Sequence, residues 1–506
     1  MSTFLAPLHL ALTIIILVWD IVLAGRIAQN RQSSRLFQGV SGLAALLVLP
    51  GLLFTLATST IMTGRAVAVM DWVWPAVLVL FAFQALYASV RWIVNPIWGW
   101  PILVYDILIA TIGVVRYMVA HGYTPIDPLV TLLASQSLAM VFAGGSASAM
   151  TSPFFLNMPM VSPAFPALRN LTATFRLVMS LLAVVWLVLI IGIGAPRAVL
   201  QLRNYDNHRR DQLRERPDGD FAIGVKILPD LRSPPPKPAI KSDSALLDTL
   251  DVDAITVVVA PGATKLAIDS LGKVLDPTRS DSTVLIVAIG YRGSMLPELT
   301  KVRFDQAARL ETLRLAIARL HPAIVLPAED PYASGARALG TLSPAFWESY
   351  LTEAARVAKS VDRKVKVGVA ASAYTSNDSA LYAWAAAPGS PMDVVGFSLF
   401  PTAYTGADIE TDTRTADRWL RATPPRKDHW VFGTGGYPLA FGERSQEEAV
   451  WQALSWATDH PAIKGAIVYE AGDYGQTRGL VAPNGRLRPA TRTIIRAIQQ
   501  LRESSK

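Results

Sequence analysis

The sequence predicts two unlike halves: an α-helical membrane domain of about six transmembrane helices, then an α/β domain built as a (β/α)8 TIM barrel. Three observations predict this. Hydrophobic residues make up 51% of the chain and the mean hydropathy is +0.33, with the excess gathered in the first 200 residues. After about residue 220 the pattern changes to short β-branched runs separated by stretches with apolar residues at three- and four-residue spacing. Eight such strand–helix units in about 285 residues match the size and strand number at which a parallel barrel closes. The 506 residues divide accordingly into a membrane domain (1–200), a polar basic linker (201–219) and a barrel (220–506).

In the first half, apolar runs at about 5–25, 40–62, 72–94, 100–120, 126–144 and 173–196 each approach the ~20 residues that a ~30 Å hydrocarbon core requires. The first lacks the basic start and small-residue cleavage site of a removed signal peptide, so it is expected to stay attached. Trp72, Trp74, Trp92, Trp98 and Trp100 stand near span ends, where amphipathic rings prefer the headgroup level. Asp20 and Arg116 lie close enough to span ends to snorkel, which leaves Asp106 as the candidate for a functional intramembrane charge. The stretch Gly144–Arg176 is apolar but too rich in proline for a straight helix. It is expected to pack along the bilayer, with docking of a membrane-protein partner through its Met and Phe residues as the alternative.

The barrel strands are read, in order, at Phe221–Leu228, Ile255–Ala260, Thr283–Ile289, Ala323–Pro327, Val365–Ala370, Asp393–Ser398, His429–Gly433 and Ala466–Tyr469. Helices between them include Gln306–Leu320, Pro344–Lys359 and Gln446–Thr458, and a last one at about Pro489–Arg502 closes the ring. Ser343 before Pro344 is an N-cap followed by a proline at the first helical position, and Ser445 with Glu448 reads as a capping box. An open doubly wound sheet is disfavoured: the loop after the first strand reads LPDLRSPPPKP and holds no GxGxxG phosphate turn.

Several function classes drop out. With no cysteine there is no disulfide, thiolate metal site or cysteine nucleophile. The six histidines are scattered without metal-ligand spacing, so neither a metal nor any other cofactor is expected. The net charge of +8 owes much to arginines beside apolar segments, where bilayer orientation accounts for them; no nucleic-acid partner is expected.

The stretch Ala323–Tyr332, AIVLPAEDPY, carries the site reading. An apolar run and a proline lead straight into Glu329 and Asp330, as when a buried parallel strand delivers carboxylates at its C-terminal end. The other strand ends offer Lys226, Pro261, Tyr291-Arg292, Ser372-Tyr374, Phe400-Pro401-Tyr404, Thr434-Gly436-Tyr437 and Glu470-Asp473-Tyr474. Rings that stack on sugar faces and carboxylates that hold hydroxyls or move protons point to a carbohydrate partner. Glu329, Glu470 and Asp473 are the candidate catalytic groups. Asp330, Tyr332, Tyr404, Thr434, Tyr437 and Tyr474 are the candidate substrate contacts.

These strand ends resemble clan A glycoside hydrolases, the retaining (β/α)8 enzymes with an acid/base Glu after strand four and a nucleophilic Glu ending strand seven. Strand four reads Ala328-Glu329-Asp330-Pro331-Tyr332, with Glu329 at the acid/base position and Ala328 where the family has Asn. Strand seven, Val431-Phe432-Gly433-Thr434-Gly435-Gly436-Tyr437-Pro438, is similar to the family's Thr-Glu-Thr-Gly-Tyr-Pro run, with Thr434 at the nucleophile's place. The stretch YEAGDYGQTRGLVAPNGRLRPA resembles the family's closing element, and the resemblance spans roughly 220–502. It implies a membrane-tethered barrel that binds or processes an envelope or exported polysaccharide. Thr434 in place of a carboxylate implies impaired retaining chemistry, and Glu470 or Asp473 would be the displaced second carboxylate of an inverting route. A glycan-binding pseudoenzyme and an altered hydrolase both fit. The alternative from another class is a structural or assembly subunit whose barrel is a scaffold. Arg26, Arg31 and Arg35 in the first loop, with six spans, put the barrel on the outer, periplasmic side of an inner membrane, the side the resemblance also favours. The cluster from Arg197 to Arg216 pulls the other way, and five spans would satisfy it.

Overall fold

The computed structural model describes residues 72–90 and scattered positions from 34 to 118, then 213–504 apart from 279–281, 292–300, 402–408, 424–425, 439–441 and 475–477. The chain divides into two units, with the changeover near residue 203. In the first, α1 (Val73–Val90) is apolar on every side: Val77 and Phe81 are buried, Val79, Phe83 and Leu86 are exposed. Among the described residues no helix is long and apolar enough to cross a membrane. The expected spans other than 72–94 lie wholly or largely outside the described residues. So do Asp20, Asp106, Arg116, Trp92, Trp98, Trp100 and the Gly144–Arg176 stretch.

The second unit is a closed barrel of eight parallel strands in sequence order, β1 next to β2 and so on round to β8 against β1. The strands are β1 (Ala222–Lys226), β2 (Ala254–Val259), β3 (Val284–Ile289), β4 (Ile324–Leu326), β5 (Lys366–Ala371), β6 (Val394–Leu399), β7 (Asp428–Thr434) and β8 (Ile463–Val468). They form where β-branched and small residues run together with charges kept to or near the run ends, the pattern of a strand covered on both faces. Ala254, Val258, Ile286, Ala288, Ile324, Leu326, Trp430, Phe432 and Ile467 fill the interior. Trp430 is the largest of them, and glycine makes its room: a Cβ on Gly465 would stand 2.5 Å from its ring.

Outside run α2 (Lys237–Leu250), α3 (Lys265–Leu275), α4 (Gln306–Leu320), α5 (Ser334–Leu339), α6 (Pro344–Val361), α7 (Ser376–Ala386), α8 (Glu410–Ala422), α9 (Glu443–Thr458) and α10 (Ala490–Ser504). Each inter-strand segment carries a helix, which makes every crossover the same and sends every strand C-terminus to one face. Ser343 caps α6 as expected, its Oγ accepting from Phe346 N at 3.2 Å. The capping box at Ser445 does not form. The helix α9 starts two residues earlier, at Glu443, so Ser445 is already inside it.

Two local features shape the two ends of the barrel. Strand β7 carries a bulge: Phe397 pairs with Val431 but Ser398 pairs with Gly433, so Phe432 is an extra residue. The segment 213–220, the end of the expected linker, folds onto the opposite, N-terminal end of the barrel. There Arg216 is buried, and its guanidinium donates to the carbonyls of Thr458, His460, Pro461 and Ile463. It is therefore not the bilayer-orienting charge that its place in the basic cluster suggests.

Candidate functional site

Glu329 follows β4 by three residues, and its place is set by the backbone on both sides. Its N–H donates to Ile289 O at 3.1 Å and its carbonyl accepts from the Tyr291 hydroxyl at 3.1 Å. The buried Arg309 of α4 ties the two strand ends together, donating to Ile289 O (2.9 Å), Gly290 O (2.7 Å) and Pro327 O (2.8 Å). The Glu329 carboxyl is buried and takes a hydrogen bond from the Tyr469 hydroxyl on Oε1 at 3.2 Å. Burial pushes its pKa up to about 7; the positive charge of Lys226 opposes this, Asp230 and Asp330 add to it, and Arg478 opposes it.

Glu470, just past β8, reaches the same cluster through two cations. Its Oε2 lies 3.2 Å from Lys226 Nζ and its Oε1 3.8 Å from Arg478 Nε. Lys226 ends β1 and also holds Asp230 at 3.2 Å, while its ammonium stands 4.9 Å from the centre of the Tyr469 ring. Burial alone would lower the Lys226 pKa, but Asp230, Glu470 and Glu329 together raise it. Asp330 accepts from Ser398 Oγ of β6 at 2.5 Å, and burial raises its pKa. Tyr437 is buried, its hydroxyl is hydrogen-bonded to Arg478, and its ring centre lies 6.5 Å from that of Phe400. Glu329, Asp330, Glu470 and Tyr437 thus meet at the mouth of the barrel.

The other expected residues do not join them. Asp473 is committed to its own loop: Arg488 reaches Oδ1 at 3.0 Å and Oδ2 at 2.6 Å, and Gly479 N donates to Oδ1 at 2.7 Å. The Tyr474 hydroxyl is bonded to Asp243 of α2 rather than free to stack on a ligand. Tyr332 is buried, and its hydroxyl finds no partner among the described residues. Tyr404 lies outside the described residues. Thr434 pairs with Leu399 and Val468. Leu399 alternates with Ser398, whose hydroxyl holds Asp330, and Val468 alternates with the interior Ile467. Both therefore point at the helices, and so does Thr434, whose buried hydroxyl has no partner among the described residues.

The bulge in β7 causes this. Phe432 and Gly433 both face inward, since a Cβ on Gly433 would stand 3.2 Å from the Phe400 ring and 3.5 Å from Ser398 Oγ, and the next residue then turns outward. The last inward-facing residue of β7 at the mouth is therefore Gly433, without a side chain.

Sequence reasoning missed Arg478, Tyr469, Asp230 and Ser398. The signal for Tyr469 and Ser398 was available, because each closes or follows a strand next to an expected site residue. Arg478 gave little signal: it lies in a loop, eight residues after Glu470, and only the fold brings it back.

No family model matches the sequence, and no curated protein matches it. Among solved structures, the chain is similar to a β-glucuronidase from Ruminococcus gnavus in complex with D-glucuronic acid. The identity is 13% over 55% of this chain and 48% of that one, with a TM-score of 0.40. It is also similar to a GH5_18 protein from Streptomyces cattleya in complex with Manb1-4GlcNAc, at 14% identity over 56% of this chain and 81% of that one, TM-score 0.42. The chain spans about half the length of the glucuronidase structures that it matches.

Proposed function

We propose that the barrel is a carbohydrate-binding module of glycoside hydrolase-like design, carried on a membrane anchor formed by the first 200 residues. The observation that carries the reading is the contrast between two buried carboxyl groups in one cluster. Glu329 has a pKa pushed up to about 7 and is therefore partly protonated at neutral pH, while Glu470 is paired with Lys226 and Arg478. A protonated Glu329 can donate to a sugar hydroxyl or to a glycosidic oxygen. Tyr437 and Tyr469 pack beside it, both buried. A retaining reaction through Thr434 has no support, because that hydroxyl faces the helices and a hydroxyl needs a base beside it to attack.

The pKa of Glu329 favours a second reading, in which hydrolysis persists by inversion. Glu329 would protonate the leaving oxygen and Glu470 would draw a proton from water. Glycan-array binding by the full chain in detergent, beside Glu329→Gln and with a product assay on each hit, separates the two. Binding without products in either protein supports the carbohydrate-binding module. Products from the wild type that Glu329→Gln abolishes support inversion. If neither protein binds any glycan, the site reading fails and the scaffold or assembly-subunit alternative takes its place.

The hydropathy of the first 200 residues supports the anchor, and the arginines at 26, 31 and 35 support a barrel on the outer side of an inner membrane. Carbonate extraction of membranes tests the first, with release of the chain counting against it. Protease protection of the barrel in spheroplasts counts against the second.

A further inference from the structure

At the mouth of the barrel β7 contributes no side chain, and the space is put to a definite use. Gly433 turns toward Phe400, and a Cβ there would lie 3.2 Å from its ring; a Cβ on Gly435 would instead meet the Tyr469 carbonyl oxygen at 2.4 Å. Phe400 in turn carries a cation. The Arg478 guanidinium stands 4.9 Å from the centre of the Phe400 ring and 4.9 Å from that of Tyr469. From that seat Nε is 3.8 Å from Glu470 Oε1, and the group is hydrogen-bonded to the Tyr437 hydroxyl. Two aromatic faces, one carboxylate and one phenol therefore fix a buried arginine that belongs to no strand.

We propose that Arg478 is the positioning residue of the site: seated on Phe400, whose ring occupies the room left by Gly433, it holds Glu470 and sets the charge around Glu329. This deepens the carbohydrate-site reading and rests on it. An arginine suits the place because its planar, weakly hydrated guanidinium stacks on rings while keeping its charge, which a buried lysine holds less readily. The groups that act on Glu329 come from several elements. Lys226 comes from β1, Asp230 from the loop after it, Asp330 from beside it, and Tyr469 and Arg478 from β8 and its loop. Lys226 is already held between Asp230 and Glu470, so Arg478 is the second cation that opposes the burial of Glu329.

The test is an infrared titration of the buried carboxyl C=O band in the full chain, with Glu329→Gln used to assign the band. It needs no ligand, so its failure and the failure of the glycan array are separate events. In Arg478→Met the Glu329 midpoint is expected to rise by about one pH unit, the lower end of what an adjacent opposite charge does. Arg478→Lys is expected to rise by less than Arg478→Met, because a lysine keeps part of the charge at this place. An unchanged midpoint in Arg478→Met, or an equal rise in both variants, overturns the proposal. Should Arg478→Met not fold, Arg478→Gln is read in the same way.

Discussion

Asp473 and Arg488 form a buried pair, each at most 5% exposed, that closes the loop after β8. Breaking such a pair by removing one partner strands a charge, so Asp473→Ala is expected to cost about 3–5 kcal/mol in urea unfolding of the barrel. Glu470→Gln keeps its shape next to Lys226 and Arg478 and should cost less. Asp243 behaves differently again. It is buried against Leu228 N and the Tyr474 hydroxyl, and burial pushes its pKa up to about 7 from 3.8. A carboxyl raised on folding contributes stability that is fully present below its unfolded pKa, near 4, and is lost as pH rises through about 7. Asp243→Asn should therefore flatten part of the decline in unfolding free energy between about pH 4 and 7. A decline identical to the wild type would show that another group carries it.

The eight strands and the helices at 306–320, 344–359, 446–458 and 489–502 were legible in the sequence because their signal is local. The apolar run Ile255–Ala260 differs from β2 by one residue at each end and Thr283–Ile289 from β3 by one residue at its start, and Gln306–Leu320 has the bounds of α4. Glu329 was legible for the same reason, as an acid at the end of a buried run. The bulge in β7 was not. Val431-Phe432-Gly433-Thr434 reads as an ordinary strand, and only its pairing with β6 shows that Phe432 is supernumerary and that the inward and outward positions have exchanged. Aligning by motif puts Thr434 in the site; the sheet register puts it behind the sheet. Installing a carboxylate there makes the distinction measurable. Thr434→Glu is expected to lose several kcal/mol, since a charge would be buried in the layer between barrel and helices, and to gain no covalent glycosyl intermediate. Appearance of such an intermediate by mass spectrometry would mean that the side chain reaches the mouth after all. Arg478 was illegible for another reason: its seat is made by Gly433 in β7 and Phe400 after β6, and no short window of sequence contains both together with Arg478.

A barrel has no edge strand only so long as β8 stays against β1, and the last closure in the chain is also the one formed across the greatest sequence distance. Arg216 fastens it at the N-terminal end. Its guanidinium bonds the carbonyls of the α9–β8 turn and the start of β8, pairs with Asp220 at 2.7 Å, and stands 5.5 Å from the Phe221 ring just before β1. Arg216→Ala is expected to cost about 3 kcal/mol in urea unfolding, several buried carbonyls having lost their donor at once; a change within ~0.5 kcal/mol would mean that water replaces it. The position of this clasp also has a mechanical meaning. Any tension transmitted along the backbone from the first 200 residues enters the barrel at 213–220. There it meets several hydrogen bonds spread over one rigid guanidinium before it can reach β1. The load is expected to be shared between the first and last strands rather than to unzip the first one alone. Under force spectroscopy, pulling at 213–220 is expected to load this clasp before β1, leaving the geometry of the mouth at the far end of the barrel undisturbed.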